Sequence, residues 1–317
     1  MRLIILFLTA ITTMSLCADR ARDSFPQAAT LAELRQQREF LRLNGYLWIR
    51  DYFSPEQVAA IQGWGDRFGT LSNRIIALAD ALNITPQDLA RTLQSALIVV
   101  PEASDPTIVC RTEDMLSTSS DFAQFISDYV TAYITLLQGS LYVPFKDKLN
   151  FKWPGGGAFS AHQDFPAYSF LAPRSHVTAM ISIDRATALN GALQIASNWA
   201  TEEAAIASLS PELVQPQGRV VLPYIKGGEM NGSIEPAYLT HVNWLLLETE
   251  PTDLVLFDSY IPHYSEANGS LSSRRAFFIT HNLLSEGDQR VSYYSTKRND
   301  PANPVFHIGT PTVHDGM

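Results

Sequence analysis

The sequence predicts an α+β chain in which a jelly-roll β core follows an N-terminal helical portion. Three observations predict it. Helix signals gather before residue 140: two hydroxyl-Pro helix starts and one long apolar stripe. Alternating polar and apolar runs, the mark of half-buried strands, gather after it. The residues with metal-binding chemistry fall at the mouths of those strands, where small barrels and jelly rolls hold ligands.

Residues 31–44 read as an amphipathic helix ending at Asn44-Gly45, followed by a strand from Tyr46 to Ile49. Ser54-Pro55-Glu56-Gln57 is a helix start, with a hydroxyl cap, Pro at the first helical position and Gln three residues after the cap. That helix should run through much of 56–82, and Gly63 to Gly69 is where an interruption would fall. Thr85-Pro86-Gln87-Asp88 repeats the start, for a helix to about Leu97. Across 121–138, Phe122, Phe125, Ile126, Tyr129, Val130, Tyr133 and Leu137 form a helical stripe expected to pack on one sheet. Lys148 to Trp153 alternates as a strand, Pro154 to Gly157 turns the chain, and Phe159 to Phe165 is the next strand. A run from His176 to Asp184 precedes a turn at Asn190-Gly191. Thr252-Asp253 introduces the strand Leu254 to Phe257 with Pro262-His263 at its end, and Arg274 to Ile279 follows. Leu284 to Met317 is polar and Pro-punctuated, an extension or a tail.

With 317 residues, 46% of them hydrophobic, the chain can bury a full core. Nothing between residues 31 and 285 reads as a repeat or linker. The expected division is a signal peptide over 1–18, a linker over 19–30, one catalytic domain over 31–285 and a C-terminal extension over 286–317. A net charge of −9 without a basic run argues against nucleic acid as a partner. Met1-Arg2 and the apolar Leu3 to Leu16 resemble a signal peptide and are too short for a comfortable membrane span. This pattern points to export; translation from Met14 would instead give a cytoplasmic protein. Cleavage near Cys17 leaves Cys110 as the only thiol, so no intrachain disulfide is expected.

His162-Gln163-Asp164 with a distant His263 supplies two imidazoles and a carboxylate. Alone, His-x-Asp is most often a surface pair. Here it sits on an expected strand beside other strand ends, which favours the 2-His-1-carboxylate arrangement that binds Fe(II) and leaves positions open for a co-substrate and O2. Arg274, one hairpin from His263, can clamp a carboxylate through its fork of donors. Arg275 points to the opposite face of a strand. Lys148, Asn150 and Lys152 share one strand face leading to the motif and suit a carboxylate or an anionic substrate group; a solvated outer face is the plain alternative. Tyr168 and His176 lie where a substrate rim could form. Gln163, between two ligands, points away from the metal.

Ala161-His162-Gln163-Asp164, Asn190-Gly191-Ala192-Leu193, Asp253 to Phe257, and His263 to Asn268 with Arg274 together resemble the phytanoyl-CoA dioxygenase superfamily of Fe(II)/2-oxoglutarate oxygenases, over roughly Tyr46 to Asn282. The block from Lys146 to Tyr168 most resembles the organophosphonate hydroxylases of that superfamily. Ile195 to Trp199 departs from the Pro-Gly-Ser-His turn of many members, which bears on the substrate rim. The resemblance implies a double-stranded β-helix (jelly-roll, cupin-like) core flanked by N-terminal helices. It implies Fe(II) held by His162, Asp164 and His263, and 2-oxoglutarate held by Arg274 with Ser265, Asn150 and Lys148. Asp164 excludes the halogenase variant, which lacks that carboxylate. Lys152, Tyr168 and His176 would face the substrate, a small polar or phosphonate-bearing compound hydroxylated with O2 as succinate and CO2 are released. The rival substrates are an acyl thioester, an amino acid or a secondary metabolite. A metal-binding barrel without turnover is the rival class, and a set of three ligands plus Arg274 exceeds what it needs.

Overall fold

The computed structural model describes residues 30–228 and 230–300, with Asn303 and Phe306. The expected leader, Met14 and all of the linker but Thr30 lie outside them. Helix α1 (Leu31–Asn44) starts on a Thr30/Glu33 capping box and stops at Gly45, whose φ of 78° suits a residue without Cβ. Strand β1 (Tyr46–Ile49) leads to α2 (Pro55–Ala81), which begins on the Ser54/Gln57 capping box. Helix α2 is continuous through Gly63 to Gly69, where an interruption would have fallen. A Cβ on Gly65 would lie 2.7 Å from Ile183 Cδ1, and one on Gly69 3.0 Å from the Phe151 ring. These glycines let the helix press onto a sheet; they do not end it.

Helix α3 (Pro86–Thr92) is shorter than expected. Gln94 takes a left-handed φ of 52°, and the β-branched Ile98-Val99-Val100 is drawn into β2 (Ile98–Pro101) against β3 (Val109–Glu113). The predicted stripe folds as α4 (Ser120–Phe125), a π-helical turn at Ile126–Thr131 and α5 (Ala132–Gln138). Then come β4 (Tyr142–Lys152), β5 (Phe159–His162), β6 (His176–Ser182), β7 (Leu193–Ala196), α6 (Trp199–Leu209), α7 (Pro236–Leu239), β8 (Trp244–Leu247), β9 (Leu254–Asp258), β10 (His263–Ser265), β11 (Arg274–Leu283) and α8 (Arg290–Asn299).

The strands form two antiparallel sheets, ordered β1-β9-β6-β11-β4-β3-β2 and β5-β10-β7-β8. Alternation along each strand sorts side chains into two cores. Leu149, Phe151, Phe277, Ile279, Ala179 and Ile181 face outward against Phe68, Phe122 and the other helical aromatics. Met180, Phe257, Ala276 and Phe278 face inward against Leu193, Ile195 and Leu247 of the smaller sheet. This is the jelly-roll core with helices on one side. Helix α8, in the stretch read as an extension, covers the β3–β4 side, with Tyr293, Tyr294 and Lys297 buried. Among the described residues, no helix is long and apolar enough to cross a membrane.

Candidate metal centre

The metal motif belongs to the smaller sheet. His162 closes β5 and His263 opens β10, and the two are register partners with ring centroids 4.3 Å apart. Contrary to the expectation, His263 does not end the strand Leu254 to Phe257. The chain turns a corner at Asp258, which accepts from the Tyr260 amide at 2.7 Å, before entering the second sheet. Asp164 likewise is not on a strand face with His162. The strand has ended, and Asp164 (φ −73°, ψ −30°) begins the turn Phe165–Ala167. This bend brings one ligand atom from each of His162, Asp164 and His263 within 4.8 Å of the other two.

Each imidazole is oriented from behind. His162 Nδ1 lies 2.6 Å from Ser160 O and His263 Nδ1 3.1 Å from Ile261 O. With Nδ1–H donating to a carbonyl, Nε2 keeps its lone pair for a metal. Burial pushes the His162 imidazole down to about 3, helped by His263, and lowers His263 as well. Burial alone would raise the Asp164 carboxyl, but Lys148, His263, Lys146 and His162 hold it below the usual range. Two neutral imidazoles and an ionised carboxylate are the protonation states a divalent ion requires. Gln163 points away: it donates to Val220 O at 3.0 Å and to Tyr260 O, and accepts from the Leu222 amide at 2.8 Å, pinning the ligand loop.

Burial gives the protein an acid-sensitive fold. His162, His176 and His281 are pushed down by desolvation to about 3, 3 and 4, and His263 is lowered too. In the unfolded chain each titrates near ~6.5. Folded values below unfolded ones mean the stability is present above about 6.5. It is lost as pH falls toward the folded values, at roughly 1.4 kcal/mol per imidazole per pH unit. The melting temperature of metal-free protein is expected to drop steadily from pH 7 to pH 5; a flat profile would contradict these burials.

On β4, Lys146, Lys148, Asn150 and Lys152 share the inward face, register partners of Thr280, Phe278, Ala276 and Arg274 on β11. The solvated outer face is thereby excluded. At one end, Arg274 is 3% exposed and has no hydrogen-bond or ion-pair partner among the described residues. Burial pushes it down to about 10, so it is a cation at neutral pH. Lys152 lies beside it, donating to Ser265 Oγ at 2.8 Å and to Glu266 O. Burial, and then Arg274, push Lys152 down to about 6. Gly191 of the Asn190-Gly191 turn makes this packing possible: a Cβ there would lie 2.9 Å from Lys152 Nζ. Asn150 Oδ1 is buried without a partner. Arg275 points outward, gripping Asp184 through Nε and Nη2 at 2.9 Å each and pairing with Asp66 at 2.5 Å.

This geometry regroups the expected roles. Lys152, expected at the substrate, stands with Arg274 and Ser265. Lys148, expected at the co-substrate, stands nearer Asp164 and Lys146, both of which act on its charge or feel it. Tyr168 and His176 form no rim. Tyr168 is 0% and His176 3% exposed, their rings packed together and against Phe145. Sequence reasoning passed over Glu113, Arg111, Tyr293 and Lys297. The i, i+4 spacing of Tyr293 and Lys297 was the available signal.

Residues 41–197 match the family model described as Phytanoyl-CoA dioxygenase (PhyH). A 2-aminoethylphosphonate dioxygenase from Uncultured bacterium HF130_AEPn_1 is 38% identical over 192 residues, 60% of this chain and 65% of that protein. A methylphosphonate hydroxylase from Gimesia maris is also 38% identical, over 51% of this chain and 54% of that one. The chain thus spans less than two thirds of either relative. Among solved structures, EctD from S. alaskensis with 2-oxoglutarate and 5-hydroxyectoine has a TM-score of 0.57 at 18% identity, covering 79% of this chain and 76% of that one. The epimerase SnoN in complex with Fe3+, alpha ketoglutarate and nogalamycin RO also reaches 0.57, at 12% identity, covering 90% of this chain and 98% of that one. These likenesses establish the fold.

Proposed function

We propose, for a chain that carries a phytanoyl-CoA dioxygenase (PhyH) domain over residues 41–197, the activity of an Fe(II)- and 2-oxoglutarate-dependent dioxygenase. It hydroxylates a small phosphonate-bearing compound with release of succinate and CO2. One observation carries this reading: a three-ligand set with mutual distances within 4.8 Å is accompanied by an unpaired buried guanidinium, Arg274, whose register partner Lys152 donates to Ser265 on the strand that carries His263. The two relatives named for phosphonate oxidation support the substrate class. The catalytic unit runs from residue 31 past 285 to include α8. The sequence pattern before residue 19 supports export.

His162, Asp164 and His263 hold the ion. Bound iron supplies the O2 activation that side chains lack. Arg274 receives the distal carboxylate of 2-oxoglutarate, with Ser265 and Lys152 beside it and Asn150 on the same strand face. Removing an unpaired charge from water costs several kcal/mol, roughly, unless a counter-ion arrives. The empty partnership of Arg274 therefore favours a carboxylate strongly. Burial of the three ligands keeps bulk water from the centre.

Purified protein supplied with Fe(II), 2-oxoglutarate and O2 is expected to release succinate, and a phosphonate is expected to raise that release. Iron-loaded protein that forms no succinate under any of these conditions would overturn the reading.

A further inference from the structure

Helix α3 stops at Thr92, and Gln94, at a left-handed φ of 52°, turns the chain into an arch that enters β2 at Ile98. Arg298 of α8 braces this arch by donating to Ala96 O at 2.6 Å. Between the arch, the β2–β3 margin and α8 lies a cavity of about 410 Å³, within the ~300–1,000 Å³ that small-molecule sites occupy. Ala90, Leu97, Ile98 and Val100 give it an apolar wall, and Arg111 and Lys297 line it too. His162, Asp164, His263 and Arg274 do not.

Arg111 is the side chain that points to a ligand. It is 9% exposed, yet its guanidinium makes no hydrogen bond among the described residues. Its Nε lies 2.8 Å from Glu113 Oε1, but buried Lys297 already reaches both oxygens of that carboxylate at 2.7 Å. Two buried cations thus share one carboxylate. The remaining acids nearby are committed elsewhere: Asp88 to Arg91, Asp114 to Arg290 and Arg298, and Asp147 to Arg290. Glu102 is buried outside the lining and acts on Cys110 and Lys152, while Asp164 acts on Lys146 and Lys148. The cavity is therefore left with an uncompensated positive charge at Arg111. A desolvated cation without a full partner favours an arriving anion. A cationic ligand would find no free carboxylate there.

We propose that this cavity is a second ligand site, separate from the metal and from 2-oxoglutarate, and that it takes a medium-chain aliphatic monocarboxylate. The carboxylate sits on the Arg111 fork, whose paired donors match its two oxygens. The chain lies along Ala90, Leu97, Ile98 and Val100, where its burial adds affinity with each methylene. One cation in surplus suits a monoanion better than a dianion. Helix α8 builds the site twice over: Lys297 occupies Glu113 and leaves Arg111 underpartnered, and Arg298 holds the arch. None of this depends on the oxygenase reading.

Calorimetric titration of the full chain with octanoate, acetate and octylammonium tests the proposal. Octanoate is expected to bind at least about tenfold more tightly than either of the others, acetate lacking the chain and octylammonium the anion. Arg111→Met should weaken octanoate by about tenfold or more, as loss of one partner of a buried charge pair does. Lys297 keeps Glu113 paired in that variant. Ala96→Phe, which fills the cavity from the arch and removes no charge, should weaken octanoate as well. Arg274→Ala should leave octanoate affinity unchanged, which places the ligand in this cavity and not at the 2-oxoglutarate end. The wild-type comparison needs no variant and so survives any folding defect in them. Absence of octanoate binding overturns the proposal, as does equal binding of acetate or octylammonium. Octanoate affinity that ignores Arg111→Met and Ala96→Phe, or that falls in Arg274→Ala, overturns it too.

Discussion

His162→Ala and Asp164→Ala are each expected to abolish succinate release, with iron no longer retained through gel filtration. The three ligands contribute one atom each to a site with no fourth His, Cys, Asp or Glu grouped with them among the described residues. Loss of any one leaves two donors where the open geometry needs three. Substitutions merely behind a metal ligand cost roughly 10–100-fold in affinity, so removal of a ligand should exceed that range. Fold content should persist, since the sheets are held by the two apolar cores and not by the ligands. The variants differ in one respect. Asp164→Ala also removes the carboxylate that faces Lys146 and Lys148, so it should melt lower than His162→Ala in the metal-free state. Unchanged iron content and activity in both would remove the assignment.

Arg274→Ala is expected to weaken 2-oxoglutarate binding by about 30-fold or more while iron binding changes little. Truncating one side of a desolvated charged pair costs roughly 2–5 kcal/mol. Lys152 cannot replace it. Its Nζ is tied to Ser265 and Glu266 O, its charge is disfavoured by burial and by Arg274, and it lacks the paired donors of a guanidinium. Arg275→Ala provides the contrast. Its guanidinium serves Asp184 and Asp66 on the other side of the sheet, so its loss should lower stability by about 1–3 kcal/mol and leave 2-oxoglutarate affinity alone. Calorimetric titration and thermal melting separate these outcomes; a silent Arg274 beside a sensitive Arg275 would mean the strand faces are exchanged.

That Arg274 and Arg275 could be assigned from the sequence reflects the strength of the period-two rule. The same rule put Lys148, Asn150 and Lys152 on one face, and β4 obeys it. Caps at Ser54 and Thr85 were equally legible, because a cap is decided by three or four adjacent residues. What the sequence concealed depends on distant partners. The glycines of α2 look like breakers until Ile183 and Phe151 are seen against them. Tyr168 and His176 look like rim residues until Phe145 and α8 close over them. The polar, Pro-punctuated stretch after Leu284 hides a helix whose polar residues face inward: Lys297 is buried because Glu113 waits for it. Local polarity cannot report a partner on another strand.

The central claim is that one chamber holds both the ion and 2-oxoglutarate, with His162, Asp164 and His263 at one end and Arg274 at the other. The most direct measurement is the anaerobic dissociation constant of 2-oxoglutarate with and without Fe(II). If both ligands meet in that chamber, each must raise the other's affinity by the same factor. The account predicts binding at least about tenfold tighter with iron present, and weakening by Arg274→Ala with or without it. Equal affinity in the presence and absence of iron would contradict the account.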